Sequence, residues 1–328
     1  MAKKLLCYFG LLFFALVYSC GLSGPKPDKR VVATLEVVGD DISEEEMKEA
    51  MEAIKNRFTQ WGAYPEIEYV PNTNTLSFTL ETAADQERIL KFLTVRANLE
   101  FFEVISKEKM MSFVIAANQM IGGDEYNEVD ALMGKADDEE NVQENAPLLD
   151  KLQADTDHGG MFSVLEADTS TVMGYLRRND VAELLESKEK NTKFVWGLKS
   201  KSSGAFTLYA LRTLVSGKAR LDGSSIKAAS QDYSMTGMPT VTIIMNEEGA
   251  KIWTKLTEEA FQANFQIAIV LDNIVHSAPA VNNGAIYGGR SDISGNFTEE
   301  EANDLASMIS AGAIPETKVL SFDVEPLE

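Results

Sequence analysis

Metal and thiol chemistry have few residues to work with in this chain, whose only histidines are His158 and His276 and whose only cysteines are Cys7 and Cys20. Zinc and its neighbours favour imidazole and thiolate, so a site here would need an unusual, carboxylate-heavy ligand set. A hard cation has one better spacing: Asp155-x-Asp157-x-Gly159-Gly160, with Glu166 at the twelfth position, follows the ligand order and glycine turn of a calcium loop. The fifth-position side chain is missing, however, and the next segment reads as a strand instead of an exit helix. Asp155, Asp157 and Glu166 are therefore a weak calcium candidate, with an acidic turn the simpler expectation, and no metal is assigned. Ser224-x-x-Lys227 fits the serine–lysine pattern of penicillin-binding proteins, and so does Ser187-x-x-Lys190. Neither has the companion motifs of that class, and Ser224 is better placed as a helix cap after Asp222-Gly223. Asp272, His276 and Ser277 have the residue types of a triad, but neighbours on a strand point to opposite faces. The glycines of GGRSDISG, residues 288–295, lack the spacing of a phosphate loop. No catalytic residue and no cofactor is expected.

The amino terminus is more informative. Lys3 and Lys4 precede an apolar run from Leu5 to Val17, too short to span a bilayer but suited to a secretory leader. The run closes on Val17-Tyr18-Ser19-Cys20, a small residue directly before a cysteine, as in a bacterial lipobox. Residues 1–20 are thus expected to be a lipoprotein signal peptide with Cys20 as the lipidation site, and residues 21–30 a Gly/Pro/Lys tether. Cys20 would then be the only mature cysteine, which leaves no disulfide framework. The formal net charge is −21. That sign argues against nucleic acid and against direct binding to anionic lipid, so membrane contact is expected through the lipid anchor alone.

Along the chain, Val31 to Val38 alternates as a strand, and Ser43 with Glu46 forms a capping box for a helix bearing Met47, Ala50, Met51, Ile54 and Phe58 on one face. Glu66 to Val70 and Thr75 to Leu80 flank a hairpin turn, Ile89, Leu90 and Leu93 mark a second helix, and Asn98 to Val104 is a further strand. Strand, helix, strand, strand, helix, strand is the split βαβ order of a ferredoxin-like sandwich. Signals weaken from Ser106 to Lys201. There Asp124 to Glu144 reads as an acidic loop, Pro147 to Leu152 and Thr169 to Leu185 as helical, and Phe194 to Lys199 with Phe206 to Arg212 as a hairpin. Beyond Gly217 come a short helix after Asp222-Gly223, a strand from Pro239 to Met245 and a helix from Asn246 to Gln262. Two short strands, Ile267 to Leu271 and Ile274 to His276, follow, then a glycine-marked connection and a helix capped by Thr298 and ended by Gly312.

Three segments in this last region, Ile269-Val270-Leu271-Asp272, Ser277-Ala278-Pro279 and GGRSDISGNFTEEEANDLA from Gly288 to Ala306, run in an order that resembles the large periplasmic domain of the SecD/SecDF protein-export family in its Bacteroidetes-like form. The resemblance implies an α+β fold. Its parts are a ferredoxin-like base over residues 31–104, completed by 315–328, an insertion over 105–216 and a SecD-like head over 217–314. The motif positions are Ile269, Val270, Leu271, Asp272, Ser277, Ala278, Pro279, Gly289, Ser294, Gly295, Phe297, Thr298, Glu301, Ala302 and Leu305, mostly glycines, caps and apolar residues with structural duties. The implied function is non-catalytic: assistance to Sec-dependent translocation by binding emerging or unfolded polypeptide, or by docking on Sec translocon components. Family members carry membrane helices before the base and after the position of Pro326, whereas this sequence has a lipidation signal before and ends after. The expectation is a stand-alone lipoprotein, without proton coupling of its own, facing the periplasm from the inner or outer membrane. An envelope adaptor for one folded partner and a calcium-dependent module using the acidic insertion are the alternatives.

Overall fold

The computed structural model describes residues 26–39, 42–71, 73–122, 146–154, 160–185, 189–200, 202–295 and 297–327. The first unit opens with β1 (Lys29–Val37), whose alternate residues Val31, Ala33, Leu35 and Val37 are buried. Ser43 then starts α1 (Glu44–Gln60): its hydroxyl accepts from Glu46 N at 3.2 Å while the Glu46 carboxylate accepts from Ser43 N at 2.8 Å. After β2 (Glu66–Tyr69) and β3 (Thr75–Thr82), Asp85 caps α2 (Gln86–Thr94). The helices cover one face of an all-antiparallel sheet of order β15-β1-β3-β2, in which β15 (Thr317–Pro326) comes from the far end of the chain. This is the ferredoxin-like base.

One element differs from the sequence expectation. The strand after α2, β4 (Leu99–Val104), leaves the base sheet, and β15 takes the place expected of it. The cause lies in the side chains. Leu99 and Phe101 pack into one core, Phe102 and Val104 into another, so β4 needs apolar cover on both faces. The base has a core on one face only, and β15, mostly exposed, suits its edge.

Next come α3 (Lys107–Gly122), a 3₁₀ turn at Leu149–Lys151, β5 (Gln153–Ala154) and β6 (Phe162–Leu165). A 3₁₀ turn at Glu166–Asp168, α4 (Thr169–Leu176), α5 (Asn179–Glu183), β7 (Thr192–Lys199) and β8 (Ala205–Arg212) complete this stretch. The remaining elements are β9 (Leu221–Asp222), a 3₁₀ turn at Gly223–Ser225, β10 (Ile226–Tyr233), β11 (Pro239–Met245), α6 (Glu247–Ala263), β12 (Ile267–Leu271), β13 (Ile274–Ser277), β14 (Arg290–Ser294) and α7 (Glu299–Ala311).

Five of these strands close into a ring. β4 pairs β12, β12 turns into β13, β13 runs parallel to β7, β7 pairs β8, and β8 returns to β4 through Glu103↔Arg212 and Val104↔Leu211. The interior is filled by Phe102, Val195, Tyr209, Leu211, Val270 and Val275, as expected of a small barrel with no lumen. Against its outside stand two further cores. One gathers α3, α4 and α5 around Phe162, Val164 and Leu208. The other is the head, where α6, α7 and the sheet β10-β11-β14 pack on Leu99, Phe101, Ile267 and Ile269.

The helix expected across Thr169 to Leu185 breaks at Arg177 and Arg178, where Arg178 adopts extended backbone. The short helix after Asp222-Gly223 is a single 3₁₀ turn capped by Asp222, which accepts Ser224 N at 3.0 Å, so Ser224 is not the cap. Arg290 to Ser294, within the glycine-marked connection, is strand β14, paired to β11. The acidic stretch Asp124 to Glu144 lies outside the described residues.

Candidate functional site at the base and head junction

The chain crosses from base to head at residues 95–97 and returns at 312–314, and one side chain holds both crossings. Arg57 sits on the buried face of α1, in register with Ile54 and Ala50, and is fully buried. Its guanidinium donates to the carbonyls of Phe92 at 3.3 Å, Val95, Arg96 at 2.5 Å and Gly312 at 3.3 Å. Ile314 N donates to the same Arg96 carbonyl at 3.0 Å. Burial pushes the Arg57 guanidinium down to about 10, with the nearby Asp272 charge opposing. It is still a cation at neutral pH, solvated by carbonyl dipoles in place of water.

Asp272 braces the outbound crossing from the head side. Asp272 and Asn273 both have positive φ, 49° and 66°, and form the two-residue turn between β12 and β13. The Asp272 carboxylate accepts Ala97 N at 3.0 Å and Asn98 N at 2.8 Å. Ala97 has φ 58°, a left-handed conformation unusual for a residue with a Cβ, and these bonds help to hold it. A second bridge joins α2 to α7: Arg88 donates to Asp304 at 2.6 Å and 3.1 Å and to Glu300 at 2.5 Å, with its guanidinium stacked 4.4 Å from the Trp61 ring centre. Burial raises the Asp304 carboxyl against the pull of Arg88. Beside the return crossing, an open groove of about 360 Å³ runs between Val38, Ile42, Ala313 and Pro315, with Glu46 and Glu49 on its rim.

The motif residues are placed as scaffold. In β12, Ile269 and Leu271 enter the head core and Val270 the barrel. Ala278 packs on the barrel interior, and the Pro279 carbonyl accepts Ile267 N at 3.1 Å. Gly289 has φ 65°, and a Cβ there would lie 2.7 Å from the Ala250 Cβ. Gly295 lies under the Phe297 ring, where a Cβ would come within 2.6 Å, and Ser294 pairs with Thr240. Thr298 and Glu301 exchange the two bonds of a capping box at 2.8 Å and 3.2 Å, and Ala302 and Leu305 are buried in the head.

The chemistry-bearing candidates do not converge. Asp272 is committed to backbone amides. The Nδ1 of His276 and the Oγ of Ser277 are buried with no hydrogen-bond partner among the described residues. His276 stacks on Phe297 at 6.2 Å, and burial lowers its pKa against the influence of Asp272. Ser224 Oγ donates to Asp222 at 2.5 Å, leaving Lys227 out. Asp155, Asp157, His158, Ser187, Cys7 and Cys20 lie outside the described residues. Glu166 is described, and its carboxylate pairs with Lys199 at 2.5 Å. Among the described residues no group of three or more metal-ligating side chains is assembled. Sequence reasoning missed Arg57 and Arg88; the available signal for Arg57 was a lone cation on the apolar stripe of α1.

A ferredoxin-like base clamped to an α+β head, with its motif residues spent on shape, defines a two-part α+β scaffold with no assembled catalytic group among the described residues. Residues 201–316 match the family described as SecDF, P1 head subdomain. Over 289 residues the chain is 29% identical to protein translocase subunit SecD of Rhodothermus marinus, covering 83% of this chain and 45% of that protein. It is 41% identical over 99 residues to the SecD of Leptotrichia buccalis, covering 30% of this chain and 24% of that one. A crystal structure of SecDF in its super-membrane-facing form superposes with a TM-score of 0.53 at 19% identity, covering 93% of this chain and 32% of that one; this likeness concerns the fold alone. These likenesses support a domain similar to the periplasmic domains of the SecD/SecDF family, with the head subdomain over residues 201–316. The chain spans less than half the length of these relatives. Among the described residues no helix is long and apolar enough to cross a membrane.

Proposed function

We propose that this chain assists Sec-dependent translocation from the periplasmic side, by binding emerging or unfolded polypeptide or by docking on Sec translocon components. The observation that carries the reading is the SecD likeness, which runs through base, insertion and head and is not confined to the head motif. Surface features support sequence-tolerant binding. Strand β10 is an edge strand partly covered by α7, where Ser310 accepts Ala229 N at 2.8 Å and donates to Ala229 O at 2.9 Å; only the part beyond that cover is open to an added strand. Its tip exposes Tyr233, Met235 and Met238. Strand addition along such an edge takes affinity from main-chain hydrogen bonds, which every polypeptide offers. Cys20 is the proposed acylation site that holds the domain at the envelope membrane, with no role for nucleic acid.

The test is a titration of the full chain against a fluorescent secretory precursor kept unfolded, and against the same precursor folded. Saturable binding to the unfolded form alone is expected; equal binding to both, or to neither, contradicts the reading.

A further inference from the structure

Cations in the insertion are generally paired. Arg178 meets Asp180 at 2.5 Å, Arg212 meets Glu103 and Glu189 at 2.9 Å each, Lys151 meets Asp168 at 2.6 Å and Lys199 meets Glu166 at 2.5 Å. Arg177 and Lys190, like Lys107 and Lys109 on α3, have no carboxylate within ion-pairing distance among the described residues. Arg177 and Lys190 both line one open basin of about 450 Å³, formed where α4 and α5 meet β7 and the connection from β8 to β9. Lys193 lines it too, its ammonium 3.9 Å from Glu100 and over the Phe102 ring. Among the described residues no carboxylate lines the basin, in a chain with 51 acidic side chains against 30 basic.

The rest of the basin is apolar. Met173, Leu176, Leu185 and Phe194 supply its floor, and Phe194 is backed by Phe113 stacked at 5.8 Å. On the rim, Val215 is 92% exposed and Leu214 46%, among the more exposed aliphatic side chains of the molecule. An uncompensated arginine fork beside apolar surface suits a ligand with the opposite combination. A free inorganic anion would have no use for the floor. A flat anionic bilayer or a nucleic acid would meet a chain of formal net charge −21.

We propose that the basin bounded by Arg177, Lys190 and Lys193 is a docking site for a polypeptide segment carrying carboxylates next to apolar side chains. This rests on the polypeptide-binding reading above and adds a chemical preference and a location built mainly by the insertion, with Gly217 and Asn273 at its edge. A basin of this volume holds the side chains of a few residues, with the remainder of the segment lying over Leu214 and Val215. Its affinity depends on ionic strength, because the cations are at the surface.

The test uses the full chain and three fluorescent dodecapeptides of the same apolar residues, interspersed with glutamate, with lysine or with serine. Fluorescence anisotropy is read for the wild type and for Arg177→Glu combined with Lys190→Glu, both exposed positions whose replacement leaves the cores intact; circular dichroism checks this. Tighter binding of the glutamate peptide, lost at least tenfold in the double variant and weakened by salt, is the expected result. A separate Val215→Asp variant also weakens it. Equal binding of the three peptides, or an unchanged glutamate affinity in the double variant, overturns the proposal. So does a variant-sensitive interaction with phosphatidylglycerol vesicles or with a second copy of the chain that exceeds peptide binding. The unfolded precursor is titrated in parallel: if it still binds while the glutamate peptide is indifferent to the basin, the basin assignment fails and the export reading stands.

Discussion

Replacing Arg57 by methionine removes a side chain that bonds both crossings between base and head. Four carbonyls lose a charged donor. Bonds to charged groups contribute about 1.5–3 kcal/mol each, a gross loss on the order of 6–12 kcal/mol. Two terms offset it. The lowering of the Arg57 guanidinium to about 10 by burial reflects a cost on the order of a few kcal/mol that methionine does not incur, at about 1.4 kcal/mol per unit. Water also reaches the half-buried Val95 and Gly312, and the Arg96 carbonyl keeps its bond from Ile314 N. The net expectation is about 3–5 kcal/mol of lost stability, in the range for breaking one side of a buried charged network. Arg57→Lys recovers only part of this, because a single ammonium cannot span carbonyls fixed in a fork. The assay is urea unfolding with single-tryptophan reporters: Trp61 reports the base, Trp253 the head core. In the parent the two transitions coincide. In Arg57→Met they separate, and both midpoints fall. Coincident transitions with a change below about 1 kcal/mol would refute the clamp.

Gly289→Ala brings a Cβ to 2.7 Å from Ala250 at a φ of 65°; a loss of about 1–3 kcal/mol is expected for strain of this kind, read as a lower thermal midpoint. Thr298→Ala removes the cap of α7 and costs about 1 kcal/mol, measured by denaturant titration, while Thr298→Ser restores it. His276, whose folded pKa lies below its ordinary 6.5 because of burial, binds protons more readily in the unfolded chain. Its penalty is therefore absent above about pH 6.5 and grows as pH falls toward the folded value. His276→Phe flattens stability against pH in that window, and an unchanged slope would remove His276 as the cause. Replacing Cys20 by alanine abolishes incorporation of labelled palmitate in cells, and persistence of label would locate the acylation elsewhere.

Much of the base and head was legible because local signals agree there. Ser43 with Glu46, and Thr298 with Glu301, announce their helices through side chains three residues apart. The buried run Ile267–Leu271 and its turn at Asp272-Asn273 needed no distant partner to be read. What stayed hidden depends on long-range pairing. β4 carries a strand pattern, yet the choice between base and barrel turns on which cores lie on its two faces, and one of them is built by Ala268, Val270 and Val275, over 160 residues away. The barrel closes through β4 and β8, pairing Glu103 with Arg212, and no local pattern records that closure. α3 carries apolar residues nearly all round, Met110, Phe113, Val114 and Ala117 among them, so its periodicity is faint. Arg57 was visible as a misfit on an apolar stripe, but its four acceptors span Phe92 to Gly312.

The central claim is contact with polypeptides in transit, and crosslinking in intact cells tests it most directly. A photoreactive residue replaces Asn283 or Tyr287, both exposed on the head, and captured proteins are identified by mass spectrometry during active export. The account predicts adducts with many secretory polypeptides that disappear when export is blocked. One dominant folded partner, captured equally with export on or off, would contradict it.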